Sequence, residues 1–318
     1  MFNRRKFLQK SLLGTAGLTL FSGLSQKLFS SGNYFNDFLE KDLVKLTILH
    51  TNDMHSRIEP FPLNDPKYPG LGGMARRATL IEKIRKTEKN VLLLDAGDVF
   101  QGTPYFNLYG GELEFKLMSK MKYDACTLGN HDFDNGLEGF NKMLPYAEFP
   151  FICSNYDFSE TILNGKTIPY KIFSRDDLKI GVFGLGIELN GLVEKKLFGN
   201  TKYKAPLPAA EKMASFLKKE MKCHLVICLS HLGYKYESNK VDDLKLAAES
   251  ENIDIIIGGH THTFLEAPSI VKNRMVREVL VNQVGWAGIR LGEIECFFER
   301  GKWTKKITKT NFFQLNSQ

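Results

Sequence analysis

Sulfur ligands, long apolar runs and an extended basic surface are what this sequence is short of, and each shortage closes a class of function. The five cysteines, Cys126, Cys153, Cys223, Cys228 and Cys296, are an odd number set mostly inside apolar runs. That placement argues for small buried hydrophobes rather than a disulfide framework or a thiolate metal site. The apolar stretch from Leu12 to Leu24 has about thirteen residues, interrupted by glycine, where a spanning helix needs roughly 17–25. Of the net charge of +7, five units come from Arg4, Arg5, Lys6, Lys10 and Lys27, and no acid falls in the first 30 residues. The remainder is too little for a stripe that tracks phosphate backbones, so no nucleic-acid polymer is expected as a partner. No internal repeat or low-complexity segment is present.

The 318 residues, 43% hydrophobic and 25% charged, are an ordinary globular mix, long enough to bury a sizeable core. The charge concentrated at the N-terminus has a local explanation. Asn3-Arg4-Arg5-Lys6-Phe7-Leu8-Gln9, followed by the short apolar stretch and Ser25-Gln26-Lys27, resembles a twin-arginine export signal. The expectation is passage through the Tat translocase and a periplasmic or otherwise extracytoplasmic location. No Ala-x-Ala cleavage site is visible, and the absence of a cysteine near residue 30 excludes lipoprotein acylation. The expected division is a signal over 1–30, a polar connector over 31–45, a single domain over 46–312 and a tail over 313–318.

From residue 44 onward, short β-rich runs alternate with helical periodicity. Val44 to His50, Asn90 to Gly97 and Asp124 to Gly129 read as strands, separated by helices over Gly73 to Lys86 and Leu113 to Met121. This βαβαβ series implies parallel pairing with right-handed crossovers. The second half continues with strands at Lys171 to Phe173, Leu178 to Gly184, Cys223 to Leu229 and Ile253 to Ile257, and with helices at Pro208 to Lys222 and Val241 to Glu251. Val276 to Val284, Gly288 to Glu299 and Trp303 to Thr310 are further strands, the last two a hairpin around Arg300-Gly301.

Five motifs stand just after such apolar runs: Asp53-x-His55, Gly97-Asp98, Gly129-Asn130-His131-Asp132, Ser230-His231 and Gly258-Gly259-His260-Thr261-His262. Ligands of open parallel sheets gather at the carboxyl ends of strands, so residues distant in sequence are expected to meet there. The donors are all nitrogen and oxygen, which suits a pair of divalent ions such as zinc, manganese or iron.

With Leu46-Thr47-Ile48-Leu49-His50-Thr51-Asn52-Asp53-Met54-His55-Ser56-Arg57, Gly97-Asp98-Val99-Phe100-Gln101-Gly102-Thr103, Gly129 to Asn135 and Gly258 to His262 in order, the chain resembles the 5′-nucleotidase family of metallophosphoesterases. The resemblance covers roughly residues 44–312 and implies an α/β fold, the four-layer α/β/β/α sandwich of calcineurin-like metallophosphoesterases. It implies Asp53, His55, Asp98 and His262 on a first metal ion, and Asp98, Asn130, His231 and His260 on a second, with Asp98 as the bridge. The position of His262 is commonly glutamine in the nucleotidases. The resemblance further implies that His131 acts as proton donor or transition-state stabiliser, oriented by Asp134 three residues later. Members of the family with full nucleotidase activity carry a second domain that holds the nucleoside between aromatic rings, which this sequence is expected to lack after residue 312.

Most of the remaining chemistry-bearing residues are expected to be structural. His224 sits in no motif. Arg57, Arg76 and Arg77 are read as stabilising helix surfaces rather than contacting a phosphate. Gln101 and Asn155 are loop residues near the expected site, read as groups that support the ligands by hydrogen bonding, with simple turn hydrogen bonding as the alternative, and Trp286 is read as packing rather than as a substrate platform. The leading functional expectation is an exported dinuclear-metal hydrolase of nucleotides or similar small phosphomonoesters. The competitors are a catalytic subunit or binding module served by a separately encoded C-terminal recognition domain, and a relative that hydrolyses thiosulfate esters.

Overall fold

In the computed structural model, residues 43–316 are described; the expected export signal and most of the connector lie outside them. Two sheets form the centre. The first contains β1 Leu43–Thr51, β2 Val91–Asp95, β3 Ala125–Cys126, β12 Arg290–Glu299 and β13 Lys305–Gln314, in the order β13-β12-β1-β2-β3. The second contains β5 Tyr170–Arg175, β6 Leu178–Leu185, β8 Leu225–Ser230, β9 Ile255–Gly258, β10 Ser269–Lys272 and β11 Glu278–Asn282, in the order β10-β11-β9-β8-β6-β5. β1, β2 and β3 pair in parallel, as do β6, β8, β9 and β11. A two-stranded ribbon joins β4 Tyr156–Asp157 to β7 Lys202–Tyr203.

The period-2 alternation of the strands decides which side chains meet. Leu46 and Ile48 of β1, Leu92 and Leu94 of β2, and Ile294, Cys296 and Phe298 of β12 face Ile180 and Val182 of β6, Leu225, Ile227 and Leu229 of β8, and Ile255 and Ile257 of β9 in one apolar cluster between the sheets. The intervening residues point outward. Val91 and Leu93 of β2 pack under helices α1 (Met74–Thr87), α2 (Glu112–Lys120) and α3 (Gly136–Met143). Val226 and Cys228 of β8 with Ile256 of β9 pack under α4 (Pro206–Ser215) and α5 (Asp243–Glu249). Strands buried on both faces explain the continuous apolar runs of the sequence. The result is the four-layer α/β/β/α sandwich. All five cysteines are free and buried.

Several boundaries differ from the sequence reading. β1 begins at Leu43, inside the expected connector, and β13 runs to Gln314 with Leu315 buried, its N–H donating to the carbonyl of Ile289 at 2.9 Å. Residues 313–315 therefore belong to the sandwich and not to a tail. The helix expected over Pro208 to Lys222 begins at Pro206 and gives way at Phe216–Glu220 to a π turn, closed by Met221 N–H donating to Phe216 O at 3.0 Å. The strand expected through Gly129 pairs only over Ala125–Cys126. Beyond Thr127 the backbone turns so that Gly129 lies against Asp98, where a Cβ would stand 2.6 Å from the Asp98 backbone nitrogen. β4, β7, β10 and α3 were not foreseen.

Candidate metal centre

Every motif of the sequence leaves the carboxyl end of a parallel strand at the same edge of the sandwich. Asp53 and His55 follow β1, Asp98 follows β2, Asn130 follows β3, His231 follows β8, and His260 and His262 follow β9. The loops are tied directly to one another: the N–H of Asp53 donates to Gly97 O at 2.9 Å and that of His55 to Asp98 O at 3.0 Å. Five of these residues are held in the left-handed backbone region, with φ of 50° at Asp53, 46° at His55, 57° at Asp98, 71° at His260 and 51° at His262. Aspartate and histidine tolerate that region better than most residues, yet each instance carries strain, and such strain clusters at functional sites.

The side chains converge in two groups that share Asp98. Asp53, His55, Asp98 and His262 can offer ligand atoms within 4.8 Å of one another, and so can Asp98, His231 and His260. In the first group His262 Nε2 is 2.9 Å from His55 Nε2 and 3.4 Å from Asp53 Oδ1, and His55 Nε2 is 3.8 Å from Asp98 Oδ2. In the second, His231 Nε2 is 3.1 Å from Asp98 Oδ2, and His260 Nδ1 is 2.8 Å from Asn130 Oδ1. Asp53, His55, Asp98, Asn130 and His231 are buried, whereas His131, His260 and His262 are half-buried, so the site opens on one side.

Backbone carbonyls set the tautomers. His231 Nδ1 faces Ala96 O at 2.7 Å and His55 Nδ1 faces Phe100 O at 3.2 Å. A carbonyl only accepts, so each Nδ1 carries the hydrogen and each Nε2 turns inward. Burial opposes charge on His231, but Asp98 and Asp53 outweigh it and hold its pKa up to about 10. Burial raises Asp98 in turn, and the neighbouring imidazoles, His231 foremost, bring it well below the usual carboxylate range. The pocket thus demands positive charge between these two groups, whether a proton's or a metal ion's. His260 is pushed down to about 4 by burial and by His231, and His55 is also lowered by burial. Both are neutral imidazoles, as ligands must be.

The donor set fits divalent ions on the structure's own terms. His231 Nε2 is fully buried and makes no well-aligned hydrogen bond although Asp98 Oδ2 is 3.1 Å away. The buried carboxylates of Asp53 and Asp98, each of which accepts a backbone N–H, also turn oxygens toward the imidazoles of His262 and His231. Uncompensated, such groups are costly; imidazole, carboxylate and amide oxygen together suit borderline cations.

His131 and Asp134 lie at the rim. His131 Nδ1 donates to Asp134 Oδ2 at 2.9 Å, and this hydrogen bond raises the imidazole above its ordinary value. The ring edges that of His55, with centroids 5.2 Å apart.

Sequence reasoning assigned no role to a further tier. Asp132 is buried, and its carboxylate accepts from the N–H groups of Asp98 (3.1 Å), Val99 (3.0 Å), Phe100 (3.3 Å) and Gly129 (2.8 Å). It clamps the second motif loop to the third; its place inside the Asn130-His131-Asp132 run was the available signal. Asn52 donates to Asp53 Oδ2 at 2.6 Å and accepts from Val284 N–H at 3.1 Å. Gln283 donates to Gly259 O at 2.5 Å and accepts from Thr263 N–H, bracing the histidine loop. Nothing local in the sequence marked either residue.

Among the remaining residues, His224 accepts from Lys179 N–H at 2.9 Å and stacks on Trp303. Asn155 is buried and exchanges both hydrogen bonds with Gly186, at 2.7 and 2.8 Å, as a turn brace. Gln101 is exposed. Arg57 covers the Phe61 ring at 4.1 Å, and Arg76 holds Gly70 O at 2.5 Å. Arg77 departs from the reading. It is fully buried, with its guanidinium against Met54 Sδ at 2.6 Å, because α1 turns that face onto the β1 exit loop. Trp286 is half-buried and lies flat against His262.

Comparison with known proteins agrees with this geometry. The model of the calcineurin-like phosphoesterase family matches residues 46–264. A snake venom 5′-nucleotidase from Naja atra is 36% identical over 286 residues, covering 82% of this chain and 52% of the relative. A 5′-nucleotidase from Vibrio cholerae serotype O1 is 38% identical over 244 residues, covering 72% of this chain and 42% of the relative. Among solved structures, the 5′-nucleotidase precursor from Thermus thermophilus superposes with a TM-score of 0.78 at 32% identity, covering 86% of this chain and 55% of that one. The chain spans about half the length of the curated relatives it matches.

Proposed function

The chain belongs to the calcineurin-like phosphoesterase family, and from that premise we propose that it is a dinuclear-metal hydrolase of small phosphomonoesters, nucleotides among them, as its 5′-nucleotidase relatives are named. The observation that carries the reading is the sharing of one buried carboxylate, Asp98, between two groups of ligand atoms. In this reading Asp53, His55, Asp98 and His262 hold one divalent ion, and Asp98, Asn130, His231 and His260 hold the other. When bound, the ions supply Lewis-acid charge that clamps phosphoryl oxygens and favours attack by water at neutral pH.

The protein's own groups do the rest. Asp98 offers two oxygens and one negative charge to offset two cations, while Asn130 contributes an oxygen without adding charge. The carbonyls of Ala96 and Phe100 keep His231 and His55 in the tautomer that leaves Nε2 free. His131, whose affinity for a proton Asp134 raises, stands at the open side, where in this reading its protonated form meets the leaving oxygen of the ester and gives up its proton; such general-acid help is worth about 10²–10⁴-fold.

We read Arg4-Arg5 as the mark of export by the twin-arginine route, which is tested by following the location of an Arg4→Lys, Arg5→Lys variant. The test of the enzymatic reading is the purified chain, loaded with Mn²⁺ or Zn²⁺ and offered a panel of nucleoside monophosphates, sugar phosphates and aryl phosphates. Phosphate release that disappears on chelation and returns with metal is the expected result. Negligible release from every ester overturns the reading.

A further inference from the structure

Trp286 is placed by the ligand loops themselves. On one side of it, Gly285 N–H donates to Thr263 O at 2.9 Å, next to His262; on the other, Ala287 N–H donates to Asp53 O at 2.7 Å. The Asn52 side chain adds a bond to Gly285 O at 2.5 Å. So held, the indole lies parallel to the His262 imidazole, with centroids 5.4 Å apart and planes 2° from parallel, and presents an edge to His55 at 6.3 Å. Behind it, Phe61 and Tyr68 pack against the indole at 5.9 and 6.2 Å in edge-to-face geometry. Phe264, Ala287 and Ile289 complete the cluster.

His262 needs such support more than His55 and His231 do. His55 and His231 have their outer nitrogen bonded to a carbonyl, the usual device for fixing a ligating imidazole. Among the described residues, no hydrogen bond is made by His262 Nδ1. Its side chain is 38% exposed on a left-handed backbone, and its one hydrogen bond, between Nε2 and His55 Nε2 at 2.9 Å, uses the two nitrogens that metal binding would claim, so hydrogen bonding does not hold the ring once it ligates.

We propose that Trp286 is a positioning residue for His262: the stacked indole replaces the missing hydrogen bond and holds the imidazole in the orientation that completes the first metal group. The inference rests on the ligand assignment proposed above and goes beyond it. It makes the affinity of one metal group, and not the other, depend on an aromatic ring that ligates nothing. A flat apolar surface suffices for this role, so phenylalanine serves where alanine does not.

The test is equilibrium binding of Mn²⁺ to the full chain in two backgrounds. In His260→Ala, which disables the second group, the remaining ion reports on the group of His262. There Trp286→Ala weakens binding by about 10–100-fold, the usual cost of losing support for a ligand, and Trp286→Phe restores most of it. In His262→Ala the remaining ion sits at His231 and His260, and Trp286→Ala leaves its affinity unchanged. Equal weakening in both backgrounds overturns the inference, because the ring then acts on general packing; so does unchanged binding in the first background, or a Phe variant as weak as Ala. A second readout uses the fact that the chain has only two tryptophans: in Trp303→Phe the emission is that of Trp286, and Mn²⁺ uptake must quench it. Wild-type chain that takes up no Mn²⁺ overturns the proposed function together with this inference, whereas two ions bound with no sensitivity to Trp286 overturns the inference alone.

Discussion

Strands β8 and β9 pass through two environments within a few residues. Between the sheets, Ile227, Leu229, Ile255 and Ile257 are fully buried in an apolar cluster. At the carboxyl edge the same strands end in His231 and His260, beside the buried carboxylates of Asp98 and Asp53. The first environment is favourable by itself, since each fully buried aliphatic side chain contributes about 1.5–3 kcal/mol. The second is unfavourable by itself, combining desolvated charge with left-handed backbone. Apolar burial in the sandwich therefore holds in place an edge that ligand binding, rather than packing, completes. Substitutions in the two regions should have opposite signatures.

The largest separation is expected from Asp98→Ala. It should remove both ions and bring phosphate release to background, because neither cation keeps the shared anion. Its loss also leaves the buried His231 without the acid that raises its pKa, so the metal-free variant should melt below metal-free wild type, and the lost metal is what tells it from a core truncation. Elemental analysis and phosphate-release assays on the same preparation check the pair of outcomes; a variant that keeps both ions would erase the contrast between edge and core.

His131→Ala should lower kcat by about 10²–10⁴-fold while both ions stay, because the imidazole lies at the rim and serves as proton donor. Loss of metal comparable to that of Asp98→Ala would make it a ligand instead. Asp134→Asn sharpens the point through pH. The hydrogen bond from His131 to Asp134 raises the imidazole pKa, so the acid form, and with it the activity, is present below that pKa and lost as pH rises through it. Weakening the bond should move the alkaline limb of the kcat profile to lower pH, and a limb that does not move dissociates Asp134 from the proton donor.

Leu229→Ala is the matching probe of the core. The side chain is fully buried between the sheets, and truncation should cost about 2–5 kcal/mol of stability, read from denaturant unfolding. Metal content per folded chain should be unchanged. If it falls in step with stability, the two regions are one cooperative unit and the comparison fails.

The smallest effect is expected in substrate choice. The candidate ligands and His131 address the phosphate, which all the esters share, and discrimination among leaving groups needs further contacts. For this chain assayed by itself, kcat/KM should vary by less than about 100-fold among nucleoside monophosphates and an aryl phosphate. A sharper preference would place leaving-group recognition in the loops around the edge.

The legibility of the molecule in its sequence follows the same division. Strands such as Val91–Asp95 and Leu225–Ser230 were readable because burial on both faces leaves an uninterrupted apolar run. The motif residues were readable because each follows its strand within a few positions and turns on glycine or left-handed backbone. Residues whose role depends on a partner far along the chain were not. Arg77 looks like a helix-surface cation and is instead fully buried. Gln283 and Asn52 carry no local mark, yet they brace loops more than 20 and 230 residues away. The early end of β3 and the π turn after α4 likewise come from packing that local periodicity does not register.

By itself the sequence determined the alternation of strands and helices, the parallel pairing of the motif-bearing strands and the identity of the donor groups, because burial patterns and motif spacing are local properties. Only the tertiary structure decided which donors meet, that Asp98 stands between the two groups, which nitrogen of His55 and His231 faces inward, and that an indole supports His262. Those are distances between ends of different strands, and they exist only once the two sheets have closed on their apolar faces and brought their carboxyl edges together.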